Sequence, residues 1–435
     1  MFGFTIIWIG QLVSLFGTAM TNFALTIWAW QITEQATALA LVGFFTFAPA
    51  LLVTPFAGAL VDRWSRKFVM MLSDLAAVLS TVVVLVLLST GNLQMWHLYA
   101  TGAFAGTFGA FQFPAYSAAV TTMVSKKQYG RASGMLSSAQ FASGIFAPSL
   151  AAVFLVTIGI AGILTIDILT FLIAIGALLI VRVPQPTITA EGQKSRGSIW
   201  AESIYGFRYI SKRNGLLGLL TIFFFVNLLA PFAFTLLAPM ILSRTANDTA
   251  SLGIVQSAIG VGGMAGSIML SAWGGPKRRI HGILLGLFLV TMGVLLLGLG
   301  QILVFWVAAA FFTMFFIPTI NGSSQAIWQS KVAPDIQGRV FAARSMIAQI
   351  GAPIAMLLAG PVADNVFGPA MMPEGSWANL FGWLVGTGPG AGISLMFVVA
   401  GGLGMLVALG GYAIPAVRNV EDNLPDHTPD SELSE

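Results

Sequence analysis

Two carboxylates lie inside long apolar runs of this chain, Asp74 in Leu72-Ser73-Asp74-Leu75 and Asp167 in Thr165-Ile166-Asp167-Ile168. A charged side chain is costly in hydrocarbon, so an acid placed there is normally functional and suited to carrying a proton. Asp167 has no cation in view and is the first candidate for proton coupling. Asp74 is the second, and pairing with Arg131 or Arg344 is its expected structural role. Polar and aromatic residues at helical spacing form a second group. Gln11, Ser14, Thr18 and Asn22 fall within one narrow sector at 100° per residue, and Asn321, Gln325 and Trp328 follow the same rhythm. Two further runs bring Phe108, Gln112 and Tyr116, and Phe223 and Asn227 ahead of Pro231. Single amides often only glue neighbouring helices, but four such stripes together can wall a cavity. A wall of Phe, Trp and amides with almost no charge suits bulky amphipathic or apolar molecules. A third group is the turn Gly58-Ala59-Leu60-Val61-Asp62-Arg63-Trp64-Ser65-Arg66-Lys67, which puts three cations and one carboxylate between two apolar runs.

The elements that must hold these groups follow from composition. Apolar residues make up 57% of the 435 residues and charged ones 8%, against roughly a quarter charged in soluble domains. The mean hydropathy is +0.88. There is no cysteine, hence no disulfide or thiolate site. The first apolar run, from about Phe2 to Trp30, is too long for a signal-peptide core and is read as a retained span. A membrane-length window predicts twelve spans, at about 4–30, 37–61, 68–90, 94–120, 131–157, 160–182, 215–242, 250–273, 280–300, 302–329, 339–363 and 391–415. This gives an all-α membrane protein of two six-helix bundles, 1–183 and 215–416, joined by a polar segment at 184–214. Within that segment Ser198 to Ile210 carries Trp200, Ile204 and Phe207 on one side, the pattern of a short helix lying on the membrane surface. The acidic tail 417–435 is expected to be disordered.

Charge fixes the expected orientation. With both termini inside, the inner loops and flanks hold 19 of the 20 Lys and Arg residues, leaving Arg244 outside. That bias is what the positive-inside rule requires, and it explains the pI of about 9.5 without a nucleic-acid partner. Arg63, Arg66 and Lys67 are then expected among the lipid headgroups.

The halves also repeat. The charged turn returns in worn form as Trp273-Gly274-Gly275-Pro276-Lys277-Arg278-Arg279, where an offset of 212 places Arg66 and Lys67 on Arg278 and Arg279. The same offset matches Thr37-Ala38 to Thr249-Ala250. Further on, Phe113-Pro114 finds Ile317-Pro318, and Gly130-Arg131 finds Gly338-Arg339. Such duplication points to a transporter of two halves.

The stretch Gly58 to Lys67 is similar to the signature of the major facilitator superfamily between spans 2 and 3. Gly58, Asp62, Arg63, Arg66 and Lys67 match, and Ser65 replaces the second glycine. The chain further resembles the twelve-span exporters of the macrolide and enterobactin efflux type. Trp8-Ile9-Gly10-Gln11, Phe23-Ala24-Leu25 and Asp167 with Thr170-Phe171 carry that likeness. The resemblance implies a monomeric secondary transporter in the cytoplasmic membrane of a bacterium, moving a small molecule by alternating access with protons and in contact with lipid. Spans 1, 4, 7 and 10 would line its cavity. Asp62 would accept from the backbone opening span 11 near Gly338, with Arg131 and Arg339 at the two matching helix starts. Many relatives carry an acid just after the span 1 glycine, where this chain has Thr18. Import and lipid flipping by the same fold stay open.

Other classes fit poorly. No Gly-Lys dipeptide occurs, which removes a Walker A loop. His97, His281 and His427 are scattered, with no metal spacing and no nucleophile motif, so neither an enzyme nor a cofactor is expected. Gly102/Gly106 and Gly262/Gly266 are read as close-packing pairs.

Overall fold

The computed structural model describes residues 2–124, 129–183, 208–332 and 337–424. Among the described residues eleven helical stretches are long and apolar enough to cross a membrane. The twelfth spanning element is Met95–Met123, whose Gly, Ala and Thr residues and Gln112 lower its hydropathy. It belongs to the bundle by packing, against spans 2 and 3. Spans 1 to 9 are Phe2–Thr33, Ala36–Arg63, Arg66–Ser89, Met95–Met123, Tyr129–Thr157, Gly159–Ile180, Asn214–Arg244, Thr249–Trp273 and Arg279–Leu299. Span 12 is Ala391–Ala413. Below, the end that holds the Trp64–Ser65 turn is the hinge end, and the other is the far end.

Spans 10 and 11, expected as single helices, are each broken. Span 10 is Leu303–Phe315 followed by Ile317–Lys331, and span 11 is Gln337–Gln349 followed by Gly351–Val362. Pro318 and Pro353 stand in the first turn of each second piece. Neither can donate to the preceding turn, which explains a break at those points. The turn between spans 5 and 6 is a single residue, Ile158, because Gly159 takes a left-handed φ of 69°. Ser65 caps span 3 by accepting from Phe68 N at 3.1 Å, which is why a serine can stand in place of the glycine there.

Contacts divide the helices into two groups. Span 1 packs on 5 and 6, and spans 3 and 4 on each other and on 6 and 2; spans 7 and 9 pack on 12, and 8 on 10. The halves meet along two seams, spans 5 with 8 and 2 with 11. Inside each half two glycines one turn apart bring a helix pair to backbone distance. A Cβ on Gly102 or Gly106 would strike Thr46 of span 2, and one on Gly262 or Gly266 would strike Phe311 or Phe315 of span 10. These are the close-packing pairs expected, arranged alike in both halves.

Two segments differ from expectation. The stretch 364–389, which the span assignment leaves as a connection, is built: a π-helical turn Ala363–Phe367 continues span 11, and a short helix spans Ala378–Val385. Met371 and Val385 are buried there with Ala391 and Leu395. The tail, expected to be disordered from residue 417, is folded through Leu424. Val417 and Val420 are fully buried, and Glu421 accepts from Arg279 N and Ile280 N at 3.2 and 2.8 Å. Asp422 pairs with Arg278 at 3.1 Å, and Lys331 Nζ donates to the carbonyls of Glu421 and Leu424. The worn turn has no carboxylate of its own, and the tail supplies two. The surface helix expected over Ser198–Ile210 falls largely outside the described residues, as does 425–435.

Candidate functional site

A cavity of about 1050 Å³ lies between the halves. Its wall comes mainly from spans 1, 2, 3 and 4, with Asp167 and Phe171 of span 6, and is completed by spans 7, 8 and 11. Seven threonines of spans 1 to 4 and 7 face it beside Leu, Val, Ala and Gly. Several of their hydroxyls are turned to the carbonyl one helical turn back: Thr26 to Asn22, Thr46 to Val42, Thr101 to His97. Hydroxyls spent in this way leave the wall less polar than its composition. Asn22, Asn227, Gln256 and Gln349 add amides, and Asp167 is the one charged type among the lining residues.

Asp167 is almost fully buried at 1% exposure. Thr81 Oγ1 donates to its Oδ2 at 3.1 Å, and Thr18 Oγ1 lies 3.5 Å from Oδ1. A Cβ on Gly17 would crowd Asp167 and strike Thr170, so that glycine lets spans 1 and 6 approach around the acid. Thr18 touches Asp167 from the other helix. Thr81 escapes a reading of the sequence, although it lies seven residues after Asp74 on the same face of span 3.

Asp74 does not pair with Arg344. Its Oδ2 accepts from Gln11 Nε2 at 2.9 Å and its Oδ1 from Gln112 Nε2 at 3.0 Å, while Gln112 also reaches Gln11 Oε1 at 2.8 Å. The two amides from spans 1 and 4 thus close on a carboxylate from span 3, and each of its oxygens accepts from one of them. Arg344 donates instead to Gln325 Oε1 at 3.1 Å and Ser324 Oγ at 2.9 Å, and its guanidinium lies over the Trp328 ring. Arg131, the other expected partner of Asp74, lies outside the residues whose side chains are described.

Of the expected cavity wall, Thr18, Asn22 and Asn227 line the space. Gln11 and Gln112 hold Asp74, and Gln325 and Trp328 hold Arg344. Ser14 is buried, Asn321 is exposed, and Phe108 packs on Phe104 with ring centroids 4.9 Å apart and the rings tilted by 57°. Tyr116 packs with Met123 and Val120, and Phe223 with the buried cluster around Leu219 and Leu284. The aromatic residues that do face the cavity are Phe47, Phe171 and Phe234. Helical periodicity identifies the polar faces, yet several of them turn toward neighbouring helices.

At the hinge, Lys67 Nζ donates to Leu179 O and Val181 O at 3.0 and 3.1 Å. It closes the C-terminal end of span 6, where a cation is favoured. Arg66 is buried. Gly58, Asp62, Arg63 and Arg339 lie outside the residues whose side chains are described.

The far end holds cross-half contacts that the sequence does not reveal. Asp364 accepts from Ala36 N at 3.0 Å, Thr37 N at 2.8 Å and Thr37 Oγ1 at 2.6 Å. Trp30 Nε1 donates to Asn247 Oδ1 at 2.7 Å. Deeper down, Ser149 and Ser257 share a hydrogen bond of 2.9 Å across the seam of spans 5 and 8.

Membrane-length helices in two packed halves around a cavity define a multi-pass membrane transporter. The Major Facilitator Superfamily model matches residues 7–356. The chain therefore belongs to the major facilitator superfamily. It is 27% identical over 370 residues to macrolide efflux protein A of Streptococcus pyogenes, covering 83% of this chain and 90% of that protein. It is 26% identical over 335 residues to the multidrug efflux pump Tap of Mycolicibacterium fortuitum, covering 73% and 78%. A bacterial homolog of the human lysosomal transporter Spinster, in an inward-facing and unoccupied conformation, superposes with a TM-score of 0.72 at 15% identity over 98% of this chain and 99% of that one. The nucleoside transporter NupG gives 0.65 at 12% identity over 95% and 99%. These structural likenesses speak for the fold.

Proposed function

We propose that this chain exports small amphipathic or apolar molecules across the bacterial cytoplasmic membrane by alternating access, driven by protons. The observation that carries this reading is the cavity of about 1050 Å³, walled by alkyl groups and inward-satisfied threonines with Asp167 its one carboxylate. Such a space is large enough for a drug-sized molecule and offers little to a sugar or phosphate. Kinship to macrolide and multidrug efflux proteins supports the outward direction. The positive-inside bias supports a cytoplasmic position for both termini and the hinge end. The contacts at the far end then close the outer side, and the fold as it stands faces inward. The hinge would close the inner side in the opposite state, with Asp62 accepting from the backbone at the start of span 11. The monomer carries both halves and sits in lipid, and Asp167 takes up and releases the coupling proton within the hydroxyl cluster of Thr18 and Thr81.

The test is extrusion of fluorescent dyes and a macrolide from cells expressing the chain, with and without a proton uncoupler. Extrusion that collapses on uncoupling is expected, and Asp167→Asn should abolish the uphill component while leaving downhill exchange. Accumulation in place of extrusion would overturn the direction, and uphill transport by Asp167→Asn would remove that residue from the coupling step.

A further inference from the structure

Span 8 opens on its own cap: Asp248 accepts from Ala250 N at 3.0 Å, and from Ser251 N and Oγ. The repeat offset places Ala36 of span 2 where Asp248 stands. Alanine cannot cap, and the preceding Gln35 contributes no cap in its place; its own N–H goes to Thr33 Oγ1. The first N–H groups of a helix must nonetheless find acceptors. Span 2 finds them across the molecule, in Asp364, 327 and 328 residues away on the extension of span 11. Close packing enforces the fit, since a Cβ on Gly360, one turn before Asp364, would strike Thr37.

We infer that Asp364 is the latch of the far end, a helix cap lent by one half to the other and surrendered whenever the halves part there. The first turn of span 2 is complete only while the seam with span 11 is shut. Opening strips Ala36 N, Thr37 N and the Thr37 hydroxyl of their acceptor together and leaves Asp364 without its donors, so the three bonds favour the closed arrangement jointly. Asp248 has the same chemistry but moves with its own half and cannot sense the opening. Under the hinge reading, Asp62 at the C-terminal end of span 2 serves the start of span 11 in the same manner. Spans 2 and 11 would then exchange caps at opposite ends, one carboxylate engaged at a time. The Asp364 latch rests on the alternating-access reading but is measured through shape, so a failed transport assay leaves its test intact.

The chain has no cysteine, so spin labels can be placed without background. Labels on Asn92→Cys and Glu374→Cys, exposed far-end positions on opposite halves, report opening as pulsed dipolar distances in lipid nanodiscs. Asp364→Ala should raise the ratio of long to short distances about tenfold, equivalent to about 1.4 kcal/mol. Thr37→Val, which removes the hydroxyl and keeps the backbone donors, should shift it the same way by about threefold. Asp248→Ala should leave the distribution as in the parent. Distances in Asp364→Ala that match the parent, or an equal shift in Asp248→Ala, would overturn the latch. Should Asp364→Ala fail to fold, the comparison of Thr37→Val with Asp248→Ala decides.

Discussion

The seam between spans 5 and 8 offers a comparison in which one perturbation serves as the control for another. Gly144 and Gly260 face each other there, yet they are not equivalent. A Cβ on Gly260 would lie 2.8 Å from the Gly144 carbonyl carbon and from Ile145 N and Cγ1, whereas a Cβ on Gly144 meets nothing within 4 Å. Carbon atoms are comfortable at about 3.5–4.0 Å, so alanine at 260 falls short by about 1 Å against the backbone of the facing helix. Backbone cannot rotate aside, and relief requires the two helices to separate. Both substitutions gain about 1 kcal/mol of helix propensity over glycine. The difference between them therefore isolates the clash, which for overpacking costs about 1–3 kcal/mol. Gly144→Ala should be as stable as the parent or slightly more so, and Gly260→Ala should unfold a few degrees lower in detergent, followed by intrinsic tryptophan fluorescence. Close packing is what holds helices together in lipid, where no hydrophobic drive remains between them, so Gly260→Ala should also slow transport. Equal stability of the two variants would refute the idea that this seam is held by backbone proximity.

Two further outcomes follow from the hydrogen-bond geometry. Gln112→Leu removes the bonds to Asp74 and Gln11 together and should destabilise the first half by about 1–3 kcal/mol, read as a lower unfolding midpoint. A Gln112→Leu protein as stable as the parent would show that the amides do not hold the carboxylate. Glu421→Ala leaves the opening N–H groups of span 9 without their acceptor and should cost about 1 kcal/mol. An unchanged midpoint on truncation after Arg418 would show that the tail does not cap that helix.

The bundle is legible because twelve apolar runs, a repeat and a one-sided distribution of cations all constrain the same arrangement. Local rules suffice wherever neighbours in sequence decide the outcome, as at the turn around Gly159. They fail where a polar group is satisfied by a distant helix. Arg344 is one of the two cations expected beside Asp74, yet it turns to Gln325 and Ser324 while amides from spans 1 and 4 reach the carboxylate. Gln325 and Trp328 lie on a polar stripe that turns toward Arg344. Asp364 is hidden in a Gly- and Pro-rich stretch that reads as a loop. Its signal is a deficit elsewhere: Ala36 stands where the other half has Asp248, and a helix start without a cap implies an acceptor from outside.

The tail that closes span 9 also sets an order in time. Arg279 and Glu421 are 142 residues apart, so span 9 enters the membrane long before its capping carboxylate is synthesised. Throughout the making of spans 10, 11 and 12 the start of that helix must borrow acceptors from water or lipid headgroups. A message cut short after span 12 would yield a protein with every span inserted and its second half still unfinished. Residues 417–424 act as a seal on assembly, and a tag or fusion joined before Leu424 would break it.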